Sequence, residues 1–297
     1  MSKPSVRYLV FDVESVADAA LVARLKYPGE NIEPNEAVAR YRAELMKKND
    51  TDFIPYTFQV PISIVVAKVA ADFRLIDLVA LDEPQFRSHV MTDNFWKGWD
   101  GYRKKGPLTL VSFNGRTFDA PLLELAAFRF GLPLPGWFNS NCKTYEQPRN
   151  RYNADAHLDL QDVLTNFGAS RFSGGLNLAA NLLGKPGKMD VQGYMVQDLY
   201  NEGRLAEIND YCRCDVLDTY FVFLRCHVVL GQLKLEEEQK IIAETKAWLQ
   251  ERSAVTPVYA TYLSRWGTWR NPWEVEMPTD TPAASETMAP SEAASRT

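Results

Sequence analysis

The chain has 297 residues, 46% hydrophobic and 24% charged, with a formal net charge of -5. That is an ordinary globular composition, enough for one elaborated domain or two small ones, and its sign argues against nucleic-acid binding by bulk electrostatics while leaving room for a local basic groove. No apolar run is long enough to span a bilayer, and Met1-Ser2-Lys3-Pro4 leads almost directly into strand-like sequence, so a cytoplasmic protein with no membrane partner is expected.

The first element is Tyr8-Leu9-Val10-Phe11-Asp12-Val13-Glu14, an apolar strand carrying two carboxylates at its end. Side chains two apart share a strand face, so Asp12 and Glu14 stand side by side, and a divalent cation is their natural partner. A polar insertion follows at about 28–58, with a helix over 35–46 whose charged face reads as solvated. Ile62–Val69 and Phe73–Val79 read as a hairpin, and 84–104 has helical spacing of Phe86, Val90, Phe95, Trp96 and Trp99. A fourth strand, Leu108–Phe113, gives way to Asn114-Gly115-Arg116-Thr117-Phe118-Asp119 and a helix with Pro121 in its first turn. Residues 131–153 read as a long loop, and His157-Leu158-Asp159-Leu160-Gln161-Asp162 as a strand-to-helix passage. A short helix with a Gly184 stop precedes the basic run Lys185-Pro186-Gly187-Lys188-Met189-Asp190, and helices are expected at 193–202, 204–230 and 232–252. The stretch 277–297, rich in Pro, Thr, Ser, Ala and Glu, is expected to be disordered. The four cysteines, Cys142, Cys212, Cys214 and Cys226, lack the paired spacing of a zinc site and read as reduced packing residues.

Three acidic sites stand out, and each alone has an ordinary structural explanation. Asp12 and Glu14 could belong to a solvated turn, Asp119 to a helix cap, and Asp215 to a solvated helix face. Tyr211-x-x-x-Asp215 places a phenol and a carboxylate on one helix face. Asp-x-Glu on a first strand, Asn-x-x-x-Phe-Asp after a later strand, and Tyr-x-x-x-Asp in a late helix together resemble the DEDDy 3'-5' exonucleases. The match runs from about residue 6 to about 230, with every motif residue in place. His157-x-Asp159-Leu160-x-Asp162 and the Gly184–Asp190 run resemble, more narrowly, the predicted stand-alone exonucleases related to the proofreading domain of family B DNA polymerases.

The resemblance implies an α/β, ribonuclease H-like mixed sheet of three antiparallel strands followed by parallel strands, flanked by helices, with a helix-rich C-terminal half. It implies one exonuclease domain over 5–252, with the 28–58 insertion and the tail outside the shared motifs. It implies two divalent cations, Mg2+ or Mn2+, which hard carboxylate ligands favour over zinc. By the resemblance Asp12, Glu14 and Asp215 would hold the ion that activates water, Asp12 and Asp119 would serve the second, and Tyr211 would orient the water. The product would be a nucleoside 5'-monophosphate released from a nucleic-acid 3' end, with single-stranded DNA favoured over RNA.

Asn114 and Phe113 are candidate contacts to the terminal nucleotide, with a core role for Phe113 left open, and Lys185 and Lys188 are candidate backbone contacts. Two rivals stand beside this reading: an RNA-trimming exonuclease of ribonuclease D type, and a nucleic-acid-binding module without turnover.

Overall fold

The computed structural model describes residues 5–188 and 195–274. Met189 and Asp190 of the basic run, and the 277–297 tail, lie outside the described residues. β1 (Val6–Ala17) pairs antiparallel with β2 (Gln59–Ala70), which pairs antiparallel with β3 (Leu75–Ala80). Phe73, read above as a strand residue, sits instead in the β2–β3 turn at φ 67, where its N–H donates to the Ala70 carbonyl. β4 (Thr109–Ser112) lies parallel to β1, and β5 (His157–Asp159) parallel to β4. The result is a mixed five-stranded sheet of order β3-β2-β1-β4-β5, flanked by helices.

Alternation along β1 assigns its two faces. Phe11 packs on Phe95 of α3 (Ser88–Arg103), whereas Tyr8 packs on Phe223 of a 25-residue helix, Leu205–Val229. Even-numbered β1 residues, including Asp12 and Glu14, therefore face the long helix. That helix is buried on nearly every side, as expected of one lying across a sheet and covered in turn by others.

The connection from β1 to β2 holds two helices, α1 (Ala19–Lys26) and α2 (Pro34–Asn49). The sequence reading had only the second; α1 is short, and its start is set by the Asp18 side chain accepting from the Leu21 N–H. Val22, Tyr27, Val38, Tyr41, Leu45 and Ile54 give this pair a small core of its own. The chain continues through α4 (Asp119–Phe130), α5 (Leu160–Thr165), α6 (Gly175–Leu182) and α7 (Val196–Asn201) to α8, the long helix. α9 (Leu235–Arg252) is followed by α10 (Val258–Ser264), which the sequence reading also lacked.

Tyr259 and Tyr262 of α10 are buried, and the Tyr262 hydroxyl donates to Asp218 of α8 at 2.6 Å. The packed chain thus runs past the boundary expected at residue 252. Among the described residues no helix is long and apolar enough to cross a membrane.

Candidate active site

Three elements, β1, α4 and α8, deliver the acidic residues to one place. On β1, Asp12 stands opposite Val65 and Glu14 opposite Ser63, and a bulge after Glu14 ends the regular pairing. Such a bulge bends the strand and re-aims the side chains beside it. From α8, Cys212 reaches β1 directly: its thiol donates to the Asp12 backbone carbonyl at 3.4 Å and to Asp12 Oδ2 at 3.5 Å. Tyr211 and Asp215 flank Cys212 on α8, and the Tyr211 phenol interacts with the Asp215 carboxylate. Asp119 opens α4 beyond the end of β4, buried at the mouth of the same groove.

Charge confirms the convergence. Burial, then repulsion from Asp119, pushes the Asp12 carboxyl far above its ordinary range, and the Cys212 thiol and the Val13 amide oppose the rise. Glu14 is pushed up by burial and then by Asp12, Asp215 and Asp119. Asp215 rises through burial and Asp12, and Asp119 through burial with Asp159 and Asp215 as its charged neighbours. The ammonium of Lys188 is the basic group that draws Glu14 and Asp215 back down.

Buried carboxylates that raise one another in this way hold too much negative charge for the protein alone. Their hard oxygen donors fit a divalent cation such as Mg2+ or Mn2+. Donor atoms of Asp12, Glu14 and Cys212 lie within 4.8 Å of one another. The thiol is held protonated, because burial and the Asp12 charge raise it well above its usual value, so Cys212 serves Asp12 as a hydrogen-bond donor. Tyr211 is 8% exposed, and burial together with Asp215, Glu14 and Asp12 raises its phenol above the ordinary value. It is a hydroxyl donor beside the carboxylates.

The loop before Asp119 is held by Asp159. Asp159 Oδ1 accepts from the N–H of Asn114 and of Gln161, at 2.9 and 3.0 Å, and Oδ2 accepts from the Arg116 N–H at 2.9 Å. Arg116 in turn donates to the His157 carbonyl and pairs with Asp162 at 3.0 Å, and Ser112 Oγ meets His157 Nε2 at 2.7 Å. The His-x-Asp-x-x-Asp passage noted in the sequence is therefore the frame of the Asn114–Asp119 loop. Gly115 is required there: a Cβ at that position would lie 2.5 Å from Ser112 Oγ and 2.7 Å from Asp119 Oδ2.

Of the other expected contacts, Asn114 sits in the loop at φ 64, with Oδ1 accepting from Thr117 Oγ1 and Gln161 Nε2. Phe113 packs against Phe172 at the margin of the core and also lines the cleft above Asp12 and Asp119, which encloses about 630 Å³. Lys188 is exposed and lines the adjoining hollow above Glu14.

Lys185 is a correction. It is 5% exposed, its ammonium lies 4.3 Å from the Trp266 ring centroid and 4.9 Å from that of Phe221, and burial pushes it down to about 8. It anchors the basic loop beneath the C-terminal segment instead of meeting a phosphate. Gly187 reinforces the anchor, since a Cβ there would collide with Asn177 and Asn181, and the loop so pinned presents Lys188.

Sequence reasoning missed Cys212 as a site residue, although it lies three residues before Asp215, a spacing that shares a helix face. It missed Gly115 as well, for which the Asn-Gly turn pair was the available signal.

A mixed sheet whose central strand delivers carboxylates into a groove shared with two helices defines an α/β domain compatible with an exonuclease fold. Residues 51–266 match the model of a family described as predicted 3'-5' exonuclease related to the exonuclease domain of PolB, and the chain belongs to that family. No curated protein matches the chain. The matched span holds Asn114, Asp119, Tyr211 and Asp215, whereas Asp12 and Glu14 precede it and join the site through the fold.

Proposed function

We propose that the protein is a two-metal-ion 3'-5' exonuclease of ribonuclease H-like fold that releases nucleoside 5'-monophosphates from single-stranded DNA. The observation that carries this reading is the convergence of Asp12, Glu14, Asp119 and Asp215, each raised by burial and by its acidic neighbours, in a chain of this family. Asp12, Glu14 and Asp215 would hold one Mg2+ or Mn2+, and Asp12 with Asp119 the other. Bound there, such ions neutralise the attacking and leaving oxygens of an in-line displacement at phosphorus.

The chain's own residues do the rest. Tyr211 holds the attacking water by its hydroxyl, with its ring fixed among Val16, Ile62 and Ile208. Cys212 orients the Asp12 carboxylate from α8. Asp159 holds the Asn114–Asp119 loop, so that the terminal sugar and base meet Asn114 and Phe113 in the cleft.

The test is digestion of 3'-labelled and 5'-labelled DNA and RNA, single and double stranded, with Mn2+. Mononucleotides released from the 3' label at once, and a shortening ladder from the 5' label, are expected, fastest on single-stranded DNA. Faster trimming of RNA would move the reading to the ribonuclease D type. Tight binding without release on any substrate would leave a binding module.

A further inference from the structure

The insertion between β1 and β2 forms one wall of the groove. Phe53, which follows α2, is 56% exposed, and its ring stands 5.8 Å from that of Phe118 in the loop before α4. These two rings line both hollows that open above the carboxylates, and so divide them. On one side lies the cleft over Asp12, Asn114 and Asp119; on the other, a hollow of about 360 Å³ is lined by Glu14, Gln59, Lys188 and Arg42 of α2, with Asp52 at its edge.

Arg42 is the unusual member of that wall. Its Nε is buried without a hydrogen-bond partner, and among the described residues the side chain makes no ion pair. Arg40, two residues earlier on α2, instead pairs outward with Glu30 and Glu44. Arg42 stands at the edge of the face of α2 that the insertion core buries, since Val38 and Leu45, four residues before it and three after, share that face, whereas Arg40 lies on the opposite one. A buried guanidinium N–H left without an acceptor is costly, and an incoming phosphate oxygen supplies one. Arg42 and Lys188 line one hollow with Glu14, two cations beside a site that is otherwise acidic. Like Asp12 and Glu14, Arg42 precedes the residues matched to the family.

We infer that the α2 insertion is a strand clamp: Arg42, with Lys188, binds the phosphate next upstream of the scissile one, and Phe53 with Phe118 separates the terminal base from its neighbour. This rests on the exonuclease reading. It makes the protein selective for a 3' end that continues upstream, over a lone nucleotide ester. Aromatic faces accept any base, and a phosphate contact reads no sequence, so the clamp is indifferent to sequence.

The test compares the unmutated protein with Arg42→Gln, Arg42→Lys and Phe53→Ala on two substrates in Mn2+: a labelled single-stranded DNA 15-mer and the p-nitrophenyl ester of thymidine 5'-monophosphate, which has no upstream phosphate. Arg42→Gln should raise KM for the 15-mer about tenfold and flatten its salt dependence by about 0.7 in log–log slope, the value of one phosphate contact on a single strand. Arg42→Lys should restore most of that slope. Phe53→Ala removes an exposed ring and should fold normally while weakening the 15-mer; hydrolysis of the ester, which lacks the upstream phosphate, should be unchanged in both Arg42 variants. An unchanged 15-mer KM and salt slope in Arg42→Gln, or equal losses on ester and 15-mer, would overturn the clamp. A wild type inert on both substrates would refute the exonuclease reading instead. The clamp is then decided by equilibrium binding of the 15-mer in Ca2+, where an Arg42→Gln slope equal to that of wild type overturns it.

Discussion

Two groups of buried acids lie within this molecule and have been treated in opposite ways. Asp159 is 2% exposed, and its two oxygens accept three backbone N–H bonds and face the Arg116 loop. Burial lifts its carboxyl, but those amides pull it back, and it works as a bracket for the loop. Asp12, Glu14 and Asp215 sit across the sheet with little but a thiol, a phenol and Lys188 to offset one another's charge. A carboxylate satisfied by the protein is a structural part, whereas carboxylates left to repel each other suit a cation.

The largest expected effect comes from breaking one member of each group. Asp12→Asn should lower turnover by about 10³-fold or more, as loss of a ligand removes several kcal/mol of transition-state stabilisation. The same variant should melt higher than wild type without metal, because one repelling charge is gone. Asp159→Ala should do the reverse to stability, costing roughly 3 kcal/mol or more by stranding three buried N–H donors. Thermal melts in EDTA set beside single-turnover rates in Mn2+ check both; a lower metal-free melting temperature for Asp12→Asn would erase the distinction.

Tyr211→Phe is a subtler break. It keeps the ring in its apolar seat and removes only the hydroxyl, so turnover should fall by about 10²-fold while oligonucleotide affinity and melting temperature hold. A loss of affinity equal to the loss of rate would make Tyr211 a packing residue.

The smallest effect is a pH dependence that metal should reverse. Asp12 and Asp215 are raised in the fold from 3.8 to about 8. Between those values the native state binds more protons than the unfolded chain. The stability these groups contribute is therefore complete below about pH 4 and is lost as pH rises through about 8. His157 has the opposite sign: buried against Ser112, with burial and Arg116 lowering it to about 3, it contributes stability above about pH 6.5 that is lost as pH falls toward 3. Melting temperature in EDTA should thus decline toward alkaline pH, and saturating Mn2+ should flatten or invert that decline, since a cation that binds the ionised cluster stabilises only the native state. The same alkaline slope with and without Mn2+ would show that the acids do not bind the ion.

Much of this protein was legible in the sequence because the relevant signals are short-range. Alternation placed Asp12 and Glu14 on one face of a strand, and helical spacing put Tyr211 beside Asp215. Apolar periodicity located the strands and most of the helices, while α1 and α10, of eight and seven residues, were not read from it. What the tertiary structure alone decided depends on residues far apart in the chain. Cys212 meets Asp12 across a separation of 200 residues, and Asp159 reaches back 45 residues to hold Asn114. Of two lysines in one basic loop, Lys185 went under Trp266 and Lys188 to the groove, because the loop is pinned by helices outside it. The charged face of α2 looked merely solvated until the fold set Arg42 beside Glu14. Local sequence specifies which face a side chain occupies, but what that face meets is settled only when distant elements pack.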